Sequence, residues 1–166
     1  MFQIKAPEFE NIKGWINSKP LTIKDLKGKV VLLDFWTYSC INCLRTLPHL
    51  KKIYEKYKKN NFILIGIHTP EFDFERISEN VKKAVNNLRI KYPVALDSEN
   101  TTWKLYGNRY WPKQALIDVD GKIRYNHVGE GGYDEIEENI VKLLNENGEK
   151  FIFSKNPKDE FKISFG

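Results

Sequence analysis

Sulfur is scarce in this sequence. Of 166 residues, two are cysteine, Cys40 and Cys43, and one is methionine. Two cysteines cannot build the multi-bridge framework of a small secreted domain, nor a four-thiolate zinc site within one chain. A bridge between such near neighbours closes too short a loop to act as a staple. Long apolar runs are missing as well: none approaches the ~18 residues that would cross a bilayer. Residues 1–7 hold one lysine and no apolar core, so no signal peptide is expected. The compartment stays open: cytoplasm is the default, and a soluble domain of an exported or membrane-tethered protein reads the same way. There is no basic stripe with interleaved aromatics. Lys plus Arg number 27 against 22 Asp plus Glu, a net charge of +5. The densest cluster, Lys51, Lys52, Lys56, Lys58 and Lys59, follows helical spacing and reads as a solvated face, so nucleic acid is not expected as a partner. Internal repeats and low-complexity tracts are also absent.

What is present is an ordinary globular composition, 41% hydrophobic, in a length that suits one domain. Residues 30–37, Val-Val-Leu-Leu-Asp-Phe-Trp-Thr, form a near-continuous apolar run, the mark of a strand buried on both faces. Leu44, Leu47, Leu50, Ile53, Tyr54 and Tyr57 then recur at helical spacing, predicting an amphipathic helix over 41–59 with Pro48 as a kink inside it. A second apolar strand is expected at 62–68 and a loop at 69–74. A helix follows through Ile77, Val81, Val85 and Leu88, then a short strand at 92–96 and a short helix at 101–106. Asp120-Gly121 predicts a hairpin between strands 114–118 and 123–128. A last helix covers 134–145. Alternating strands and helices followed by a hairpin imply an α/β fold: a central mixed sheet flanked by helices. Residues 1–148 make up that domain. Residues 149–166 form a C-terminal extension packed on it or flanking it, as a hairpin or flap, with a partner-binding arm as the alternative.

Cys40 and Cys43 form a C-x-x-C pair where the first long strand gives way to the helix. The pair is redox-active, half of a metal site, or incidental. The position favours redox chemistry. A helix N-terminus presents unpaired N–H groups and partial positive charge, which stabilise a thiolate, and only the thiolate attacks a disulfide. Cys40 would attack first, and Cys43, one turn on, would resolve the mixed disulfide. Asp34 stands six residues before Cys40 inside the apolar strand. A carboxylate buried there should have a raised pKa and could take the Cys43 proton. The alternative is a strand-end Asp satisfied by a local hydrogen bond.

Asp34-Phe35-Trp36, Cys40-x-x-Cys43 and Pro48 together resemble the thioredoxin superfamily. Tyr110-Trp111-Pro112 falls where that superfamily keeps a cis-proline facing the thiol pair. The longer set Trp36–Cys43, Arg45–Pro48, His68–Phe72, Tyr92–Asp97, Tyr106–Pro112 and Gly129–Tyr133 resembles the TlpA/DipZ group of redoxin-type thiol–disulfide oxidoreductases. The resemblance implies a thioredoxin-like fold with a helix–strand insertion around residues 70–100. It implies exchange with protein disulfides or dithiols, more as reductant than oxidant, and no cofactor beyond the Cys40–Cys43 disulfide. It also implies an upstream thiol donor, which could be a membrane-bound redox partner. A monomer is the default expectation. Pro112 would shape substrate pairing, with Trp36 and Trp111 beside the substrate groove. Many relatives place Glu three residues after the second cysteine. Thr46 stands there, so the acid role falls on Asp34, or on Glu71 as a secondary candidate.

Two other readings compete. A copper carrier would use the thiols with a histidine. His49 is about two and a half turns past Cys40 and His127 sits in the hairpin, leaving His68 as the plausible third ligand; no metal set is expected on the first reading. A peroxidase would use Cys40 after Thr37 with Arg45 or Arg109, but the resolving cysteine one turn away is the oxidoreductase arrangement.

Overall fold

The computed structural model describes residues 3–155. Among the described residues, seven strands and four helices follow one another: β1 Ile4–Lys5, β2 Trp15–Ile16, β3 Val30–Trp36, α1 Ile41–Tyr57, β4 Phe62–His68, α2 Ser78–Asn87, β5 Val94–Leu96, α3 Thr101–Leu105, β6 Lys113–Ile117, β7 Lys122–Val128 and α4 Tyr133–Glu146. A 3-10 helix, Asp73–Arg76, precedes α2. The strands form one mixed sheet in the order β1-β7-β6-β3-β4-β5-β2. β3, β4 and β5 run parallel. β6, β7 and both edge strands are antiparallel to their neighbours.

All seven residues of β3 are buried, because the sheet is covered on both sides. Val30, Leu32 and Trp36 face a core with Leu47, Leu50 and Ile53 of α1, Val81 and Val85 of α2, and Ile136, Ile140 and Leu144 of α4. Val31, Leu33 and Phe35 face a second core with Ile23, Leu26, Trp103 and Tyr106. The two-residue period of a strand divides one apolar run between two cores. By the same period Asp34 points to the α1 side. α1 runs without a break through Pro48. The hairpin turns at Gly121, φ 82°, where glycine adopts the left-handed region without steric cost. Asp118 Oδ1 accepts the Asp120 and Lys122 N–H groups, each at 3.0 Å, and shapes that turn.

The differences from the sequence reading are local. β1 and β2 are two-residue edge strands, too short to show a period. The expected loop at 69–74 runs into the 3-10 helix, which carries a buried acid, Glu75. Phe151 lies edge-on to Tyr57 (ring centroids 5.1 Å apart), and its main chain exchanges hydrogen bonds with the Asn145 side chain, so the extension starts against α1 and α4. The hairpin or flap expected further along falls mostly on residues 156–166, outside the described residues.

Candidate active site

Cys40 is the N-cap of α1, in extended conformation, and its Sγ accepts the Cys43 N–H at 3.3 Å. It is partly exposed, whereas Cys43 is 1% exposed. The helix turn thus presents one sulfur to solvent and lays the other on the core. Burial pushes the Cys43 thiol far above its ordinary range, helped by the Asp34 charge and the hydrogen bond with Cys40; the Thr37 main-chain amide pulls the other way.

Asp34 is fully buried. Burial lifts its carboxyl from 3.8 to about 7, against the opposing effect of its hydrogen bond with Gln114. Gln114 Nε2 donates to Oδ1 at 2.8 Å, and Oδ2 has no hydrogen-bond partner among the described residues. One carboxyl oxygen is anchored, and the other is free to hold a proton near neutral pH.

The peptide bond between Trp111 and Pro112 is cis. Trp111 stacks on Trp103 (centroids 4.0 Å apart) and donates its Nε1–H to Thr69 O at 2.9 Å. Its ring therefore ties the proline loop to the chain after β4, while a half-buried surface remains. Trp36 is corrected by the structure. It is fully buried, with His68 edge-on at 5.0 Å, so its indole is core and cannot line a substrate groove. Glu71 is exposed, and its main-chain N–H donates to Glu75 Oε1 at 3.1 Å.

His68 ends β4 and is 1% exposed. Burial lowers its pKa from 6.5 to about 4, with the Glu75 charge opposing, so the ring is neutral at pH 7. Its Nε2 lies 3.3 Å from Thr37 Oγ1 and 3.4 Å from Tyr38 N. The Tyr38 contact needs a bare Nε2, and the Thr37 contact needs Nε2–H, since the Thr37 hydroxyl donates elsewhere; one tautomer satisfies one contact. Among the described residues no three His, Cys, Asp or Glu gather as a metal set. His49 is stacked on Tyr133 at 3.7 Å. Of the arginines considered for a peroxidase, Arg45 pairs with Glu130 at 3.5 Å and Arg109 is exposed.

Glu75 escaped the sequence reading. It is 1% exposed and accepts four hydrogen bonds: from the Thr37 hydroxyl, from Ser39 Oγ at 3.0 Å, from Phe72 N at 2.9 Å and from Glu71 N. Burial alone would raise its pKa, but these hydrogen bonds outweigh burial and hold it below the usual carboxylate range. The available signal was an acid among the aromatics of the segment after Pro70. Lys113, next to Pro112, was also missed. It is 6% exposed, lies over the Phe35 and Tyr106 rings, and burial lowers its pKa to about 8.

Exposed apolar side chains adjoin the site. Ile41 follows Cys40, Tyr110 precedes the cis-proline dipeptide, and Phe72 stacks on Phe74 at 5.8 Å, with Tyr38 against Phe74. A cleft of about 590 Å³ is lined by Lys5, Ile23, Lys27 and Gly121 among others and includes none of these residues.

The AhpC/TSA family profile matches residues 3–126. The chain belongs to the AhpC/TSA family. The protein DipZ of Mycobacterium bovis is 49% identical over 144 residues, which cover 85% of this chain and 21% of that protein. The chain thus spans about a fifth of the length of that relative. The thiol-disulfide oxidoreductase ResA of Bacillus thuringiensis is 34% identical over 139 residues, covering 84% of this chain and 76% of that one. Among solved structures, a thiol-disulfide isomerase from Corynebacterium glutamicum superposes with a TM-score of 0.76 at 27% identity, covering 87% of this chain and 98% of its own. The fold is thioredoxin-like, and these similarities group the chain with redoxin-type thiol–disulfide oxidoreductases.

Proposed function

We propose that the chain passes two electrons between its Cys40–Cys43 pair and a disulfide in a protein substrate, acting as reductant. The observation that carries this reading is the asymmetry of the pair: Cys40 is partly exposed at a helix N-cap, and Cys43 is buried within reach of the Asp34 charge. The Cys40 thiolate attacks one substrate sulfur, the substrate disulfide breaks, and the other sulfur leaves as a thiolate. Cys43 then gives its proton to Asp34 and attacks Cys40 Sγ. The mixed disulfide breaks and the second substrate thiolate departs. The pair ends as a disulfide and the substrate as a dithiol. An upstream thiol donor returns the pair to its reduced form.

Asp34 suits the proton step because a group with pKa near the working pH both accepts and releases protons efficiently. Pro112 and the main chain around it would pair with the substrate. The exposed Ile41, Phe72, Phe74 and Tyr110 suit a polypeptide better than a small polar molecule. The direction, reductant rather than oxidant, follows the resemblance of the motif set to the TlpA/DipZ group.

Reduction of insulin disulfides with dithiothreitol as donor tests the assignment. Cys40→Ser should abolish turnover, and turnover that survives the substitution removes Cys40 as nucleophile. Equilibration with thiol buffers, followed by alkylation and mass measurement, tests the direction. A potential near −270 mV, roughly that of thioredoxin, supports a reductant, and one near −120 mV makes the chain a disulfide donor.

A further inference from the structure

Residues 37–39 connect β3 to the Cys40 N-cap, and their main chain meets the Cys40 main chain and the Cys43 thiol. Cys40 N donates to Thr37 O at 3.3 Å, and the Thr37 amide bears on the Cys43 sulfur. The side chains of the same loop turn away from the thiols, toward the 3-10 helix. There the Thr37 hydroxyl and Ser39 Oγ both donate to Glu75 Oε2. The other oxygen, Oε1, accepts the main-chain N–H groups of Glu71 and Phe72. One buried carboxylate thus joins two segments more than 30 residues apart in the chain. It is saturated only while both keep this arrangement, and a buried acceptor that loses its donors is costly.

We propose that Glu75 is a positioning residue of the redox site: by fixing Thr37 and Ser39 it holds the loop that aligns Cys40 with Cys43. Its hydrogen bonds go to Thr37, Ser39, Glu71 and Phe72 rather than to either sulfur, and it acts through Thr37. Two thiols held in register close their disulfide at high effective concentration, and a looser loop lowers that concentration. Releasing the loop therefore moves the equilibrium toward the dithiol. This inference rests on the redox reading of the pair.

Four variants of the full chain test it: Thr37→Val, Thr37→Ser, Glu75→Ala and Glu75→Gln. Thr37→Val keeps the side-chain shape and removes the hydroxyl, and Glu75→Ala removes the acceptor. Both should shift the thiol–disulfide equilibrium constant toward the dithiol by about tenfold, which is about 30 mV. Thr37→Ser restores a donor. Glu75→Gln can still accept from the two amides and donate to the two hydroxyls. Both conservative variants should stay within about threefold of the parent, about 0.65 kcal/mol by the same conversion. The rate of Cys43 alkylation in the reduced protein gives a second readout that needs no turnover, and it should change in Thr37→Val and Glu75→Ala. If those two variants melt at lower temperature but keep the equilibrium constant and the alkylation rate of the parent, Glu75 is a structural brace only and the proposal fails. If the parent forms no disulfide at all, the redox reading fails, and a changed Cys43 alkylation rate would still support the loop-holding role by itself.

Discussion

Gly66 of β4 lies directly across from Asp34 of β3 in the parallel ladder. A Cβ built there would stand 2.9 Å from Trp36 Nε1 and 3.3 Å from the Tyr92 ring. The indole that the sequence pattern offered to substrate is thus what fills the space over a glycine. Gly66→Ala should destabilise the fold by about 1–3 kcal/mol through overpacking, read from urea denaturation. An unchanged midpoint would show that the Trp36 ring can yield. Asp34, on the strand beside it, offers a sharper test of chemistry. With a pKa of about 7 it is a working proton acceptor only above that value. Asp34→Asn should therefore slow the resolving step, and the loss should grow from pH 6 to pH 8 as the parent carboxyl ionises. General base catalysis is typically worth 10²–10⁴-fold, and the parent and variant rates measured across that range decide it. Parallel pH profiles would remove Asp34 from the proton path.

The first turn of α1 both begins an element and presents the nucleophile, so substitutions at Cys40 separate the two roles. Serine keeps a side-chain acceptor for the Cys43 N–H, and alanine does not. Cys40→Ala should lose about 1 kcal/mol relative to Cys40→Ser, with both inactive; equal stabilities in urea would show that the sulfur contributes nothing as a cap. This turn was legible from sequence, because a long apolar strand running into a 3.6-residue pattern fixes the boundary on which Cys40 sits. The same holds for β4 and α4, whose apolar periods exceed one turn or several strand residues. β1 and β2 were not legible, since two residues carry no period and pair only because neighbouring strands offer an edge. Nor was Glu75: an acid in a segment with Pro70 reads as solvated, and only the return of residues 71–75 over the end of β3 brings it to the Thr37 hydroxyl. Trp36 failed for the converse reason. Adjacency to the thiols along the chain suggested substrate contact, while the period of β3 turns its ring into the core.

Across the whole molecule, two buried titratable groups bias stability in opposite directions with pH. The Asp34 carboxyl rises from 3.8 unfolded to about 7 folded. The folded state therefore holds a proton that the unfolded chain releases, and stability falls as pH climbs through that window. The imidazole of His68 drops from 6.5 to about 4. The unfolded chain then binds the extra proton, and stability is lost as pH falls through 6.5 toward 4. At 1.36 kcal/mol per pK unit the full swings are about 4 and about 3 kcal/mol, so between pH 4 and 6.5 they largely cancel. Asp34→Asn removes one arm. The variant should be more stable than the parent at pH 8, with the difference shrinking toward pH 4. Its own stability should climb from pH 4 to 6.5 as the His68 effect stands uncovered. Asp97, raised by burial, and Glu75, lowered by its hydrogen bonds, are present in both proteins and drop out of the difference. Urea denaturation of the reduced proteins at half-unit pH intervals measures both curves. A pH-independent difference would show that Asp34 ionises in the fold as it does in the unfolded chain. A flat variant curve below pH 6.5 would show that the His68 effect does not exceed the opposing effect of Asp97 in that range.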